Sequence, residues 1–360
     1  MTNIPSVTLL DTASAVRPGE ELDAAGVAAF LRQHATGLAL QGDPQISQFA
    51  GGASNLTYLL RYPDRDLILR RPPFGRRAAS AHDMVREARV MQALAPVFPY
   101  VPSIVAICED EALMGCPFYV MQRLEGIILR RDVPAGMQLD AVAATALCHA
   151  MLDRLVALHQ VDWRSAGLGH LGKGEGYVAR QLAGWSQRFS QAQTPDVPGC
   201  DDVVQWLQQH APASDAATCI IHNDWRFDNL VLDVAQPQRI IGVLDWEMAT
   251  LGDPLMDLGN ALAYWAQADD DPIYLKMRQQ PTHLPGMLTR RQVVEYYAMR
   301  SGMDVANAAF YEIFGLFRLA VIVQQIWHRY SQGNTKNPKF ANFGQTASYL
   351  LQRCRDMSQR

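Results

Sequence analysis

Ile220-Ile221-His222-Asn223-Asp224-Trp225-Arg226-Phe227-Asp228-Asn229, followed sixteen residues later by Asp245-Trp246-Glu247, is the stretch on which the reading of this 360-residue chain turns. Apolar strands are expected to bracket its polar groups. Ile220-Ile221 precedes them, while Leu230-Val231-Leu232 and residues 240–244 flank a polar turn containing Pro237, the pattern of a hairpin. An Asp five residues before an Asn on one loop, with a second Asp at the end of the next strand, can converge on one point. Such a set offers a base for a hydroxyl and two oxygen ligands for Mg²⁺. Phosphoryl transfer needs both, because the hydroxyl must lie in line with the γ-phosphate while the metal neutralises charge on the phosphate oxygens.

Working outward, residues 45–49, Gly51-Gly52-Ala53-Ser54-Asn55, Leu56–Arg61, a turn at 63–66 and residues 67–70 read as strand, glycine loop, strand, turn, strand. Arg71-Pro72-Pro73 ends that run. Helical spacing follows at 81–94 and precedes it at 22–34, and residues 117–121 look like a buried strand. Beyond Gly126 the pattern turns helical, at Ala141–His159, 177–189, 203–209, 254–265, 290–300 and 311–330. The expected architecture is α+β, with a small β-rich lobe at 1–123 and a large α-helical lobe at 124–360.

Composition excludes several classes. With 49% hydrophobic residues, 32 Lys+Arg against 36 Asp+Glu and a net charge of −4, the chain is globular in type and carries no overall attraction for nucleic acid or anionic lipid. The cysteines at 108, 116, 148, 200, 219 and 354 form no C-x-x-C pair, which argues against a zinc site or disulfide framework and for reduced, cytoplasmic thiols. No signal-peptide stretch opens the chain, and no run of about 18 apolar residues predicts a membrane span.

The loop pattern H-x-D-x-x-x-x-N, met here at His222, Asp224 and Asn229, resembles that of the aminoglycoside phosphotransferase family, and the similarity runs along nearly the whole chain. The resemblance implies the two-lobed protein-kinase-like fold, with ATP and Mg²⁺ as cofactors. It makes Asp224 the catalytic base, His222 the residue that orients the loop, Asn229 a metal ligand and Asp245 the principal metal ligand in the place of the kinase D-F-G aspartate. Asn223 replaces the glycine common at that position, and Asn is among the residues that tolerate left-handed backbone.

Gly51, Gly52, Ser54 and Asn55 would then fold over the nucleotide phosphates, although a bare hairpin fits Gly51-Gly52 as well. The resemblance also calls for a strand cation held by a helix acid, which Arg70 and Glu87 supply, Arg standing where Lys is usual. Strand alternation sets Ile68 and Arg70 on one face and Leu69 and Arg71 on the other, leaving Arg71 as the alternative, and Glu87 also fits a solvated helix face. Residues 117–125, with Met121, fit the hinge that reads the purine edge through main-chain groups, which leaves ATP and GTP undistinguished. Asp253-Pro254 reads as a helix cap, Asp257 as a support of the catalytic loop, and His159 as a packing histidine.

Gly167-Leu168-Gly169, Gly176 to Gln181, Trp185, and Arg70-Arg71-Pro72-Pro73 resemble one branch of the family, which includes kinase-like modules fused to acyl-CoA dehydrogenases and associated with hydroxylated acyl-CoA compounds. From Gly286 to Arg360 there are ten Lys and Arg against four Asp and Glu, and Arg226 stands beside the base. Both favour an anionic hydroxylated acceptor over a polycationic aminoglycoside, the alternative acceptor. A pseudokinase is the other alternative. A protein kinase is disfavoured because Asp253 follows Asp245 by only eight positions, too few for a long activation loop.

Overall fold

The structure is a computed structural model that describes residues 9–50, 55–74 and 83–359. In chain order its first elements are α1 (Ala24–His34), β1 (Gln45–Gln48), β2 (Leu56–Arg61), β3 (Asp66–Arg71), α2 (Met84–Leu94), β4 (Ile104–Cys108) and β5 (Phe118–Gln122). There follow α3 (Ala141–His159), α4 (Tyr177–Gln191), α5 (Asp201–His210), β6 (Cys219–Ile221), β7 (Leu230–Leu232), β8 (Ile240–Val243) and β9 (Thr250–Gly252). The chain closes with α6 (Pro254–Leu262), α7 (Pro272–Met277), α8 (Arg290–Ser301), α9 (Ala308–Ser331) and α10 (Phe343–Ser358). Two compact units emerge: Met1–Leu139 with Arg164–Leu168 and Phe227–Ala249, and Asp140–Trp163 with Gly169–Arg226 and Thr250–Arg360. The expected division at 123/124 follows the change from strand to helix, whereas the compact first unit also takes up the β7–β8 hairpin from the distant half of the sequence.

In the first unit β1 to β5 make an antiparallel sheet of order β1-β2-β3-β5-β4. Its two faces follow from the two-residue period of a strand. Leu67 and Leu69 of β3 join Tyr58, Leu60, Phe118 and Val120 in a buried cluster that also takes in Val27 and Leu31 of α1. Ile68 and Arg70 therefore face the other way, in register with Met121 and Tyr119 of β5. α2 is capped by Asp83, whose side chain accepts from Arg86 N–H, and it buries Glu87, Ala88, Val90 and Met91. The β7–β8 hairpin is tied to this unit by the bridge between Ile127 and Leu232 and by Val243 N–H donating to Tyr100 O.

The second unit is helical apart from the short β6–β9 pair. Asp253 accepts from the N–H groups of Leu255 and Met256 and so starts α6, with Pro254 in the first turn where a missing N–H is harmless. Ala141–His159 and Ala308–Ser331 are apolar and long enough to cross a membrane, with mean hydropathies of 1.5 and 1.4. α9 is nevertheless a core helix, packed against α6 and α10. The α6–α9 crossing depends on two glycines. A Cβ at Gly259 would stand 2.2 Å from Tyr311 O, and one at Gly315 would stand 2.1 Å from Gly259 O.

Alanine at either glycine gains about 1 kcal/mol of helix propensity but forces backbone apart in a packed crossing, which typically costs about 1–3 kcal/mol or more. Gly259→Ala and Gly315→Ala are each expected to lower the urea midpoint. A raised midpoint in either variant would show that the crossing yields freely.

Candidate active site

In the first unit Arg70 is the centre of charge. Only 9% of the residue is exposed, and its Nη2 lies 3.0 Å from Asp245 Oδ1 and 3.5 Å from Glu87 Oε1. Arg71 points to the other face, where its Nε donates to Pro72 O and its guanidinium stacks 3.7 Å from the centre of the Phe74 ring. The arginine beside Glu87 is thus Arg70. Burial opposes its charge, yet Glu87 and Asp245 hold the guanidinium firmly protonated. Burial pushes the Glu87 carboxyl up to about 7 against the pull of Arg70, with the negative charges of Asp245 and Glu247 adding to the rise.

α2 grips the segment after β8 at both ends. Trp246 N–H donates to Glu87 Oε1 at 3.2 Å, and Arg86 donates from Nη1 to Glu247 O at 3.1 Å and from Nη2 to Ala249 O. Asn55 Nδ2 donates to Glu247 Oε2 at 2.8 Å. Asp245 itself adopts a left-handed backbone, φ 65°, at the head of a 3-10 turn, Trp246–Met248. An open pocket of about 920 Å³, its mouth included, is lined by Thr57, Ile68, Arg70, Met121, Asn229 and Asp245 among others. Leu244 N–H donates to Asn229 O at 2.8 Å, so the hairpin fixes Asn229 and Asp245 as near neighbours. Arg70 Nε is buried without a hydrogen-bond partner, a donor left over on a pocket wall. Oxygen donors from Asn229 and Asp245 suit a hard cation, and an arginine with an unused N–H suits phosphate, so these residues fit Mg²⁺ and a nucleotide.

The second unit holds the base candidate. Asp224 follows β6 on a loop fixed from below by Asp257, which is fully buried. Asp257 Oδ2 accepts from His222 N–H and Oδ1 from Asn223 N–H, each at 2.7 Å. Burial opposes ionisation of Asp257, but the hydrogen bond from His159, the electrostatic pull of His159 and His222 and the His222 N–H hold its carboxyl below the usual carboxylate range. His159 places Nε2 3.2 Å from Asp257 Oδ2 and Nδ1 2.7 Å from the Tyr297 hydroxyl. Nε2 is the donor to the Asp257 carboxylate, which can only accept.

His222 accepts the Asp224 N–H on Nδ1 at 3.2 Å, so its ring orients the residue two places on. Asn223 has φ 66°, and its Oδ1 accepts from Asn260 Nδ2 at 3.1 Å. Arg226 Nε lies 3.2 Å from Asp224 Oδ1, with its guanidinium 4.6 Å from the centre of the Tyr264 ring.

The expected residues thus fall into two groups. Asn55, Arg70, Glu87, Met121, Asn229 and Asp245 lie in the first unit, and His222, Asp224 and Arg226 in the second. Gly51, Gly52 and Ser54 lie outside the described residues. Sequence reasoning passed over Arg86, although it adjoins Glu87, and it gave His159 a packing role without its bond to Asp257.

Glu87 generates a pH prediction. The folded protein keeps this proton to about 7, while the unfolded chain releases it near 4.5, so between those values the unfolded state binds fewer protons and stability falls as pH rises. Urea midpoints at pH 5 and pH 8 should show a smaller fall in Glu87→Gln than in wild type. An equal fall in both would mean that Glu87 ionises normally.

The sequence profile of the phosphotransferase enzyme family matches residues 45–292. Mouse acyl-CoA dehydrogenase family member 10 is 35% identical over 298 residues, a stretch that takes in 82% of this chain but 27% of that protein, so this chain spans about a quarter of that relative's length. A solved structure of a Ralstonia eutropha protein, provisionally named an aminoglycoside phosphotransferase, is 31% identical with a TM-score of 0.80, covering 94% of this chain and 99% of that one. Aminoglycoside phosphotransferase APH(4)-Ia, solved with AMP-PNP and hygromycin B, is 16% identical with a TM-score of 0.57 over 93% of this chain and 98% of its own, and so shares the protein-kinase-like fold. A β-rich unit carrying a buried arginine–glutamate pair, a helical unit carrying the H-x-D loop, and a profile match across well over half of the sequence agree, and the chain belongs to the phosphotransferase enzyme family.

Proposed function

We propose that the protein transfers the γ-phosphoryl group of ATP, with Mg²⁺, to a hydroxyl of a small anionic molecule such as a hydroxy acid or a hydroxyacyl thioester. The observation that carries this reading is the placement of Arg70 against both Glu87 and Asp245 on the wall of a pocket that also presents Asn229. Mg²⁺ bound there would neutralise charge on the β- and γ-phosphate oxygens. Arg70 would hold the phosphates through the donors its carboxylate partners leave unused, and Glu87 would keep Arg70 in place. On the catalytic loop, Asp224 would orient the acceptor hydroxyl and take its proton, while Arg226, already on that carboxylate, would offset the charge that develops.

The acceptor class rests on charge. Asp224 has a guanidinium 3.2 Å away, and Arg318 of α9 donates to the carbonyl of the preceding residue, whereas Arg290, Arg300, Arg353 and Arg355 are paired with acids. Such surroundings suit an anion better than an aminoglycoside cation. Retention of Asp224, Asn229 and Asp245 supports turnover over a pseudokinase role. The six cysteines are free and buried, in keeping with a reducing, cytoplasmic setting.

Asp224→Asn should lose phosphoryl transfer by about 10²–10⁴-fold while binding AMP-PNP normally. A variant within about twofold of wild type would remove Asp224 from the base role. Arg70→Ala should raise the KM for ATP steeply and Arg71→Ala should leave it nearly unchanged. The reverse order would make Arg71 the phosphate contact.

A further inference from the structure

Arg318 stands in the middle of α9 with 7% of its surface exposed. Two other largely buried arginines of the second unit have acids: Arg290 and Arg353 share Asp270, and Arg290 also meets Glu312. Arg318 has no ion-pair partner among the described residues. Its contacts are one hydrogen bond, from Nη2 to Asn223 O at 3.2 Å, and the face of Trp185, 5.3 Å from ring centre to guanidinium carbon. The carboxylate across Asn223 is Asp257, and both of its oxygens are already engaged by His222, Asn223 and His159.

A guanidinium carries five N–H donors, and burying it without an anion is unfavourable. None of the Arg318 nitrogens is among the sealed polar atoms that lack a partner, so the unused donors keep an open side. The acceptor carbonyl, Asn223 O, belongs to the residue immediately before the proposed base.

The seam between α4 and α9 continues this charge outward. Arg188 rests on the same Trp185 ring at 4.6 Å, and with Gln191, Gln325, His328 and Arg329 it lines an open surface pocket of about 510 Å³, its mouth included, with no acid among its lining residues. Gln325 and Arg329 follow Arg318 at seven and eleven residues, hence on one side of α9, and the span from 318 to 329 is about 16 Å. Arg188, His328 and Arg329 sit in last turns, where the helix dipole alone favours cations. Arg318, mid-helix and buried, has no such reason to be there.

We propose that Arg318 anchors an anionic group, carboxylate or phosphate, of the hydroxylated acceptor, and that Arg188 and Arg329 extend this anion site along the α4–α9 seam. The proposal rests on the reading of Asp224 as the base and names what holds the acceptor beside it.

The test offers one set of hydroxylated acyl chains in three forms: free carboxylate, coenzyme A thioester and neutral amide. Binding is measured by calorimetry with AMP-PNP and Mg²⁺ present, and transfer by ATP consumption. Wild type should bind at least one anionic form tenfold or more tighter than the amide, and Arg318→Gln should erase that preference at unchanged AMP-PNP affinity, with Arg318→Lys keeping part of it. Preference for the carboxylate places the anion on the chain itself, whereas preference for the thioester alone places it among the carrier phosphates. Should Arg318→Gln not fold, Arg318→Lys and the exposed double variant Arg188→Gln/Arg329→Gln carry the test, each expected to narrow the preference. Equal binding of charged and neutral forms, binding of none of the three, or a preference that survives in these variants overturns the anchor. A charge preference lost in Arg318→Gln, with no transfer to any form, sustains the anchor and overturns the phosphotransferase reading instead.

Discussion

A guanidinium that is 9% exposed is costly to bury without carboxylates, and Arg70 has two of them, Glu87 from α2 and Asp245 from the end of the β7–β8 hairpin. Three segments far apart in sequence are thereby held at one point of the first unit. The same arrangement leaves Arg70 Nε without a partner on a pocket wall and stations Asp245 beside Asn229. Removing one partner of such a set strands a buried charge, so the charges that fix the pocket are the ones a nucleotide and its metal would use.

The backbone is bent to the same end. Among the described residues only Asn223 and Asp245 combine a side chain with a left-handed backbone, at φ 66° and 65°. Such conformations persist where surroundings over-determine them. Asn223 is held by Asp257 through its N–H, by Asn260 through its side chain and by Arg318 through its carbonyl. Asp245 is held by Arg70, and the next residue donates to Glu87. Each strained residue adjoins or is a group with a proposed chemical role, and each is supported by a buried charge.

Much of this was legible in the sequence because it is local or periodic. The strands and hairpin follow alternation, α2 and α3 follow helical spacing, and the two faces of β3 separate Arg70 from Arg71 by the strand period alone. What escaped was long-range or short. β9 has three residues, too few to show a period, and its pairing with β6, the strand expected before the loop, joins residues about thirty apart. α10 buries Ala347, Leu350, Leu351 and Cys354 at helical spacing, a stripe the sequence shows but the expected elements left out. The Arg86 clamp on Glu247 and Ala249, the His159 link to Asp257 and the isolation of Arg318 are tertiary facts, and no spacing in one sequence announces them.

In the proposed site the metal acts through Asp245, and nucleotide binding does not need Asp224. Calorimetric titration of AMP-PNP into wild type, Asp245→Asn and Asp224→Asn, with Mg²⁺ and then with EDTA, separates these roles in one measurement. Mg²⁺ should tighten binding in wild type and Asp224→Asn and have little effect in Asp245→Asn. An undiminished Mg²⁺ effect in Asp245→Asn would contradict the account.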